Sequence, residues 1–157
     1  MIYPPNNDFL NSTQPMIFLG GSIEMGKAKD WQQELGDFLA QTFPNLVVAN
    51  PRRKDWDSSW EQSITNPLFC EQVNWELNHL ERSNYIVFYF DKDTYSPVTL
   101  MELGKMLEHT DSKTIFVCCP TGFWRKGNVD IMCQRKNVAV FDTMEELQHA
   151  LKISICL

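Results

Sequence analysis

The sequence predicts a three-layer α/β sandwich, flavodoxin-like or Rossmann-like, around a five-stranded parallel sheet. Three observations carry that reading. Five short apolar runs are separated by segments of helical periodicity. Parallel strands need long crossovers, and helical crossovers cover both faces of the sheet they connect. A chain of 157 residues, 43% apolar and 22% charged, has the size and composition of one domain with one core. That domain is expected to cover 1–157, with 1–15 as an N-terminal lead.

After a polar, proline-marked lead to Pro15, the run Met16 to Leu19 reads as a short buried strand closed by Gly20 and Gly21. Lys27 to Phe43 places Trp31, Leu35, Phe38 and Leu39 at helical spacing, and Pro44 and Asn45 stop that helix before a second strand, Leu46 to Ala49. Asn50 to Asn66 has no periodicity. It holds Arg52, Arg53, Lys54, Trp56 and Trp60, at a length where structureless loops are usually functional.

Pro67 suits a first helical position, and Phe69, Val73, Leu77 and Leu80 mark the apolar stripe of a helix ending near Ser83. Tyr85 to Phe90 is an aromatic-rich strand. A helix from about Val98 to His109 precedes the strand Thr114 to Cys119, and a short helical piece, Val129 to Gln134, precedes the strand Val138 to Phe141. Thr143 and Glu146 form a capping-box pattern that opens the last helix.

Charge and composition exclude several function classes. Twenty acidic against fourteen basic residues give a net charge of −6, which argues against binding a nucleic-acid backbone, since that rests on neutralising phosphates with Lys and Arg. The longest apolar stretches, about six residues, fall far short of the roughly 20 that span a bilayer. The opening MIYPPNNDF lacks a basic segment leading into an apolar core, so no secretory signal is expected. Cys70, Cys118, Cys119, Cys133 and Cys156 show no CxxC spacing and read as free thiols in a reducing cytoplasm. His79, His109 and His149 lie on separate predicted helices and read as surface or helix-end residues, so neither a metal nor another cofactor is expected.

In open parallel sheets ligands bind beyond the carboxyl ends of the strands. Those positions hold GGSIEMG, NPRRKDW and DKDTYSPVTLMELG. The first is a tight turn where backbone can approach a ligand and Ser22 offers a hydroxyl, but it lacks the GxGxxG spacing of a dinucleotide site. At about 100° per residue, Glu76 falls at the edge of its helix's apolar stripe, beside Phe69 and Leu80. A carboxylate there borders a cleft, has dedicated donors, or bends its stem out to solvent. Glu102 falls near the first turn of the helix after strand three, away from the Leu100, Leu103 and Leu107 stripe, where the helix dipole favours the ionised form. It is either a carboxylate facing the crevice or an ordinary first-turn Glu. Two acids on adjacent elements can divide into a nucleophile and a general acid. Cys70 and Cys133 have no histidine partner close in sequence, which makes thiol catalysis weak.

Taken in order, NPRR at 50–53, QVNWE at 72–76, SPVTLMELG at 96–104 and FWRKGNV at 123–129 resemble the nucleoside 2-deoxyribosyltransferase-like family, from Met16 to about Phe141. The resemblance implies retaining cleavage of an N-glycosidic bond in a (deoxy)nucleoside or its monophosphate. Glu102 is then the nucleophile at C1 of the sugar, and Glu76 places the sugar or the leaving base. Transfer to another base or to water follows. The expected substrate-binding positions are Gly21, Ser22, Ile23, Asn50, Arg52, Arg53, Asp91, Ser96 and Asn128. Two departures from the family pattern bear on phosphate. Ser96 stands where the transferases carry an aspartate, as in the monophosphate glycosidases, while Glu24 stands where those glycosidases carry a basic residue. Asn128 matches a residue that a neighbouring subunit contributes, so the resemblance also implies a homodimer or larger assembly. From other classes, a binding module that senses a nucleotide-like ligand without turnover is the alternative. A receiver-like signalling domain is weaker, resting only on Asp91 and Asp93.

Overall fold

The computed structural model describes residues 1–23, 29–53 and 55–155. Along the chain run β1 (Met16–Gly21), α1 (Trp31–Thr42), β2 (Val47–Ala49), α2 (Pro67–Arg82), β3 (Tyr85–Tyr89), α3 (Pro97–Met106), β4 (Thr114–Cys118), α4 (Lys126–Arg135), β5 (Val140–Phe141) and α5 (Met144–Ser154). The strands pair in parallel in the order β2-β1-β3-β4-β5, the flavodoxin-like arrangement. Its switch point lies between β1 and β3, where the order reverses.

Strand periodicity sorts the core into two layers. Met16 and Phe18, Ile86 and Phe88, and Ile115 and Val117 pack with Trp75 and Leu80 of α2, Leu103 and Met106 of α3, and Val129 and Cys133 of α4. Their alternates Ile17 and Leu19, Val87 and Phe116 pack with Trp31, Leu35 and Leu39 of α1 and Leu147 and Leu151 of α5. Helices therefore cover both faces, which is the predicted three-layer sandwich. No helix among the described residues is long and apolar enough to cross a membrane.

Several boundaries differ from expectation for local reasons. The predicted start of the first helix at Lys27 lies outside the described residues; the helix described begins at Trp31, where the Asp30 side chain accepts from the Gln33 amide. The fourth crossover helix opens at Lys126 rather than Val129, so Asn128 lies inside it. The lead is more than a polar approach. Ile2 is buried and bridges Ala49 at the free edge of β2, the Trp75 indole donates to the Asn6 carbonyl at 2.7 Å, and Arg82 donates to the Ser12 and Gln14 carbonyls. A strand edge left open would carry unpaired backbone groups, and this segment covers part of it.

Two readings of α2 are corrected. Its buried residues are Gln72, Trp75, His79 and Leu80, while Phe69, Val73 and Leu77 are only half-buried. The stripe is rotated because Trp75 stacks on His79 with ring centroids 3.9 Å apart and carries both inward. His79 is thus a core residue, its Nδ1 paired with the Trp75 carbonyl at 2.8 Å and its pKa lowered by burial. His109 and His149 are exposed, as expected.

Candidate active site

At the switch point the ends of β1 and β3 touch. A Cβ on Gly21 would lie 2.4 Å from the Tyr89 carbonyl oxygen and 2.6 Å from the Trp31 ring, so only glycine lets the strands meet there. The next residue, Ser22, is buried. Its amide donates to the Tyr89 carbonyl at 2.9 Å, and its carbonyl accepts from the Trp31 indole at 3.1 Å. The Ser22 hydroxyl accepts the Asp91 amide at 2.9 Å and meets the Thr94 and Ser96 hydroxyls at 2.8 and 2.6 Å. Thr94 and Ser96 close the triangle at 2.8 Å. Ser96 holds a left-handed backbone, φ 46° and ψ 50°, a conformation that costs a non-glycine residue about 1–2 kcal/mol. The hydroxyl cluster holds it there, and Pro97 then opens α3.

The sixth residue of that helix is Glu102, on the buried face with Thr99, Leu103 and Met106. The expectation of a first-turn, ionised Glu turned away from the apolar stripe is therefore corrected. Its side chain is 8% exposed. Burial, with the Glu76 carboxylate beside it, pushes its pKa to about 8 against the opposing pull of Lys105. On α2, burial pushes Glu76 to about 7, opposed by a hydrogen bond from Gln72, whose Nε2 donates to Glu76 Oε1 at 2.8 Å. Two carboxyl groups that interact across adjacent helices titrate as a pair, and this pair holds a proton near neutrality.

The other expected positions divide by environment. Asn50 is buried after β2 and accepts the Arg52 amide at 2.9 Å. Arg52 reaches α1, with Nη1 3.2 Å from the Lys29 carbonyl, 3.4 Å from Gln32 Oε1 and 3.5 Å from Asp30. Arg53 is committed elsewhere: it pairs with Asp55 and Glu71, each at 2.8 Å, and lies over the Trp60 ring. Asp91 accepts the Asp93 amide and sits at the switch point through its own N–H. Ile23 is half-buried beyond Ser22, whereas Glu24 and Lys54 lie outside the described residues. Asn128 is exposed on α4 and lines a hollow of about 240 Å³ with Leu100, Leu103 and Trp124, apart from the carboxyl pair. A hollow of about 390 Å³ lined by Glu81, Lys105 and Lys113 lies at the opposite, amino end of the strands.

Two residues of the site escape a sequence reading. Thr94 completes the hydroxyl triangle, and Gln72 bridges Glu76 and the Pro51 carbonyl, the latter at 2.9 Å. Gln72 stands four residues before Glu76, the spacing that lets side chains meet on one helix face; Thr94 has no comparable signal. Among the cysteines, burial raises the Cys118 and Cys119 thiols to about 12 and Cys133 to about 11, which leaves them unreactive at neutral pH. Cys156 lies outside the described residues.

An open α/β sheet with Glu102 buried on the helix that starts at its switch point, and Glu76 interacting with it from α2, belongs to the class of folds that handle small polar ligands at the strand ends. The chain belongs to the nucleoside 2-deoxyribosyltransferase-like family, whose match spans residues 14–123. That span contains both carboxyls and the hydroxyl triangle and stops short of Asn128. A crystal structure of a conserved protein from Enterococcus faecalis V583 shares the fold, with a TM-score of 0.61 and 10% identity, over 90% of this chain and 99% of that one. No curated protein matches the chain.

Proposed function

We propose that the protein cleaves the N-glycosidic bond of a (deoxy)nucleoside or nucleoside monophosphate with retention, through a sugar ester on Glu102. The observation that carries this reading is Glu102, buried on the helix that starts at the switch point, with the half-buried Glu76 of α2 close enough to raise its pKa. In the productive protonation state Glu102 is ionised and Glu76 holds the shared proton. A Glu102 oxygen bonds to C1′ as the C1′–N bond breaks, and the bonding electrons leave with the base, whose ring nitrogen takes the proton from Glu76. Glu76, now a carboxylate, removes a proton from water, or from the ring nitrogen of a second base, as that nucleophile attacks C1′ and frees Glu102. The developing positive charge on the sugar favours ionised Glu102 over the neutral form that prevails in the empty site.

The test is release of free base from a panel of deoxynucleosides, ribonucleosides and their monophosphates. Wild type is expected to release base from at least one, and Glu102→Gln to lose at least about 10³-fold of that rate. Equal rates across the whole panel reject the enzyme reading. Adding a second free base separates the two outcomes, since a new nucleoside appears only with transfer.

The neutral tendency of Glu102 favours a second reading, a module that binds a nucleotide-like ligand intact. Saturable binding with full recovery of the ligand supports it. We also propose a homodimer formed through α3 and α4, which expose Val98, Met101, Ile131 and Met132 next to Tyr95 and Trp124. Several large exposed apolar side chains on two neighbouring helices mark an association face. Asn128 lines a hollow with Leu100, Trp124 and Met132 on that side, and its proposed role is to reach a partner's site. The whole chain, 1–157, is proposed to act as one domain in a reducing, cytoplasmic setting.

A further inference from the structure

Three buried side-chain atoms among the described residues lack a hydrogen-bond partner: Gln32 Nε2, Gln72 Oε1 and His79 Nε2. Only Gln72 touches the carboxyl pair. Its side chain is 4% exposed, and one Nε2 hydrogen goes to the Pro51 carbonyl at 2.9 Å and the other to Glu76 Oε1 at 2.8 Å. The Pro51 carbonyl can only accept, so turning the amide over would set two oxygens against each other. The amide is thus held with its donors used and its acceptor, on the same carbon and beside the same carboxyl, unused. Buried carbonyls are almost always paired, and an exception beside a candidate catalytic acid calls for a ligand donor.

We propose that Gln72 is a specificity-determining residue whose Oε1 accepts a hydrogen bond from an O–H or N–H of the bound nucleoside. The proposal rests on the nucleoside reading of the site. Two parts of such a substrate carry donors of this kind: the sugar, through its hydroxyls, and the base, through an exocyclic amino group or a ring N–H. A donor at Oε1 also polarises the amide and strengthens the N–H that faces Glu76. Recognition of the substrate and the charge on Glu76 are thereby linked through one side chain.

Matched ligands test this. Dissociation constants are measured by calorimetry for 2′-deoxyadenosine, for 2′,3′-dideoxyadenosine, which lacks the 3′-hydroxyl, and for purine 2′-deoxyriboside, which lacks the amino group. Wild type is expected to favour the donor-bearing member of one pair by about tenfold. The pair that discriminates identifies sugar or base as the source. In Gln72→Met that ratio falls to within about twofold while the other ratio is unchanged. A second measurement needs no variant: the Gln72 side-chain carbonyl carbon, 13C-labelled in wild type, shifts downfield with the donor-bearing ligand and not with its matched partner. Unchanged ratios in Gln72→Met, uniform weakening of all three ligands, or an unmoved carbonyl signal overturn the proposal. Base release with unchanged ratios removes the Gln72 inference and leaves the enzyme reading intact. Discrimination without base release does the reverse. Absence of any nucleoside binding removes both.

Discussion

The Ser22 and Ser96 hydroxyls meet at 2.6 Å across the point where the sheet order reverses. One directly follows β1 and the other opens α3, so a single contact links β1 to the helix that carries Glu102. Thr94 touches both hydroxyls, and the Asp91 amide donates to Ser22 from the β3 side. Position along α3 then converts the fixed start of the helix into a fixed depth for the carboxyl.

Ser22→Ala removes the acceptor for the Asp91 amide and one corner of the triangle, leaving buried polar groups short of a partner. A loss of about 1–3 kcal/mol in urea denaturation is expected. Base release should fall chiefly through kcat, because α3 can then shift Glu102 away from the sugar carbon. A variant as stable and as active as wild type removes the hydroxyl cluster from any role in placing Glu102.

Stability should decline as pH rises from about 5 to about 8 through the carboxyl pair. The ordinary glutamate value is 4.5, and Glu76 and Glu102 are raised to about 7 and about 8. Between these limits the folded chain binds more protons than the unfolded one, so the slope of stability with pH from these groups is negative. Their contribution is complete below about pH 4.5 and lost as each folded-state value is passed. Glu102→Gln should flatten that part of the profile, with an advantage in stability over wild type that grows from pH 5 to pH 8, read from denaturation midpoints at several pH values. An unchanged slope means that water reaches both carboxyls in the folded chain.

Arg53 ties the loop after β2 to α2 through Glu71, while Asp55 and Trp60 hold the same guanidinium from within the loop. Its side chain is 6% exposed. Arg53→Ala is therefore expected to open this loop locally, so that chymotrypsin cuts after Trp56 or Trp60 roughly tenfold faster under native conditions. Arg53→Lys should not restore protection, since an ammonium lacks the planar fork that engages two carboxylates and stacks on an indole. Equal cleavage rates in all three proteins dismiss Arg53 as the anchor.

Apolar runs at Met16 to Leu19, Tyr85 to Phe90 and Thr114 to Cys119 made the strands legible, because strands buried on both faces need uninterrupted hydrophobic stretches. That two acids stand on adjacent helices was legible too, but the arc used to place Glu76 was not the buried one, which runs through Gln72, Trp75, His79 and Leu80. What stayed hidden depends on tertiary approach. The neutral tendency of Glu102 arises from burial and from Glu76 on another helix, neither of which a first-turn argument contains. His79 reads as a surface residue until Trp75 is seen to carry it inward. Gln72 looks like an ordinary polar helix residue, and its significance lies in one oxygen left without a partner after Pro51 and Glu76 are served. The lead, polar in sequence, covers the β2 edge through backbone groups, which composition does not report.

The α3–α4 face provides the last prediction. Met101 and Ile131 are both well exposed, and Trp124 joins the two elements by donating its indole N–H to the Tyr95 carbonyl at 3.0 Å and meeting the Tyr95 ring edge-on. Neither Met101 nor Ile131 supports the core, so Met101→Glu with Ile131→Glu should leave the monomer folded while shifting sedimentation from dimer to monomer at micromolar concentration. A two-fold dimer in which Asn128 crosses into the partner's site makes a sharper demand. Glu102→Gln and Asn128→Ala, each weak alone, should complement when mixed: in a mixed dimer one site keeps both native residues, so about a quarter of all sites regain activity after random exchange. Association without complementation keeps the interface and returns Asn128 to a role within its own subunit. Sedimentation of the unaltered chain as a monomer at all concentrations rejects the interface itself.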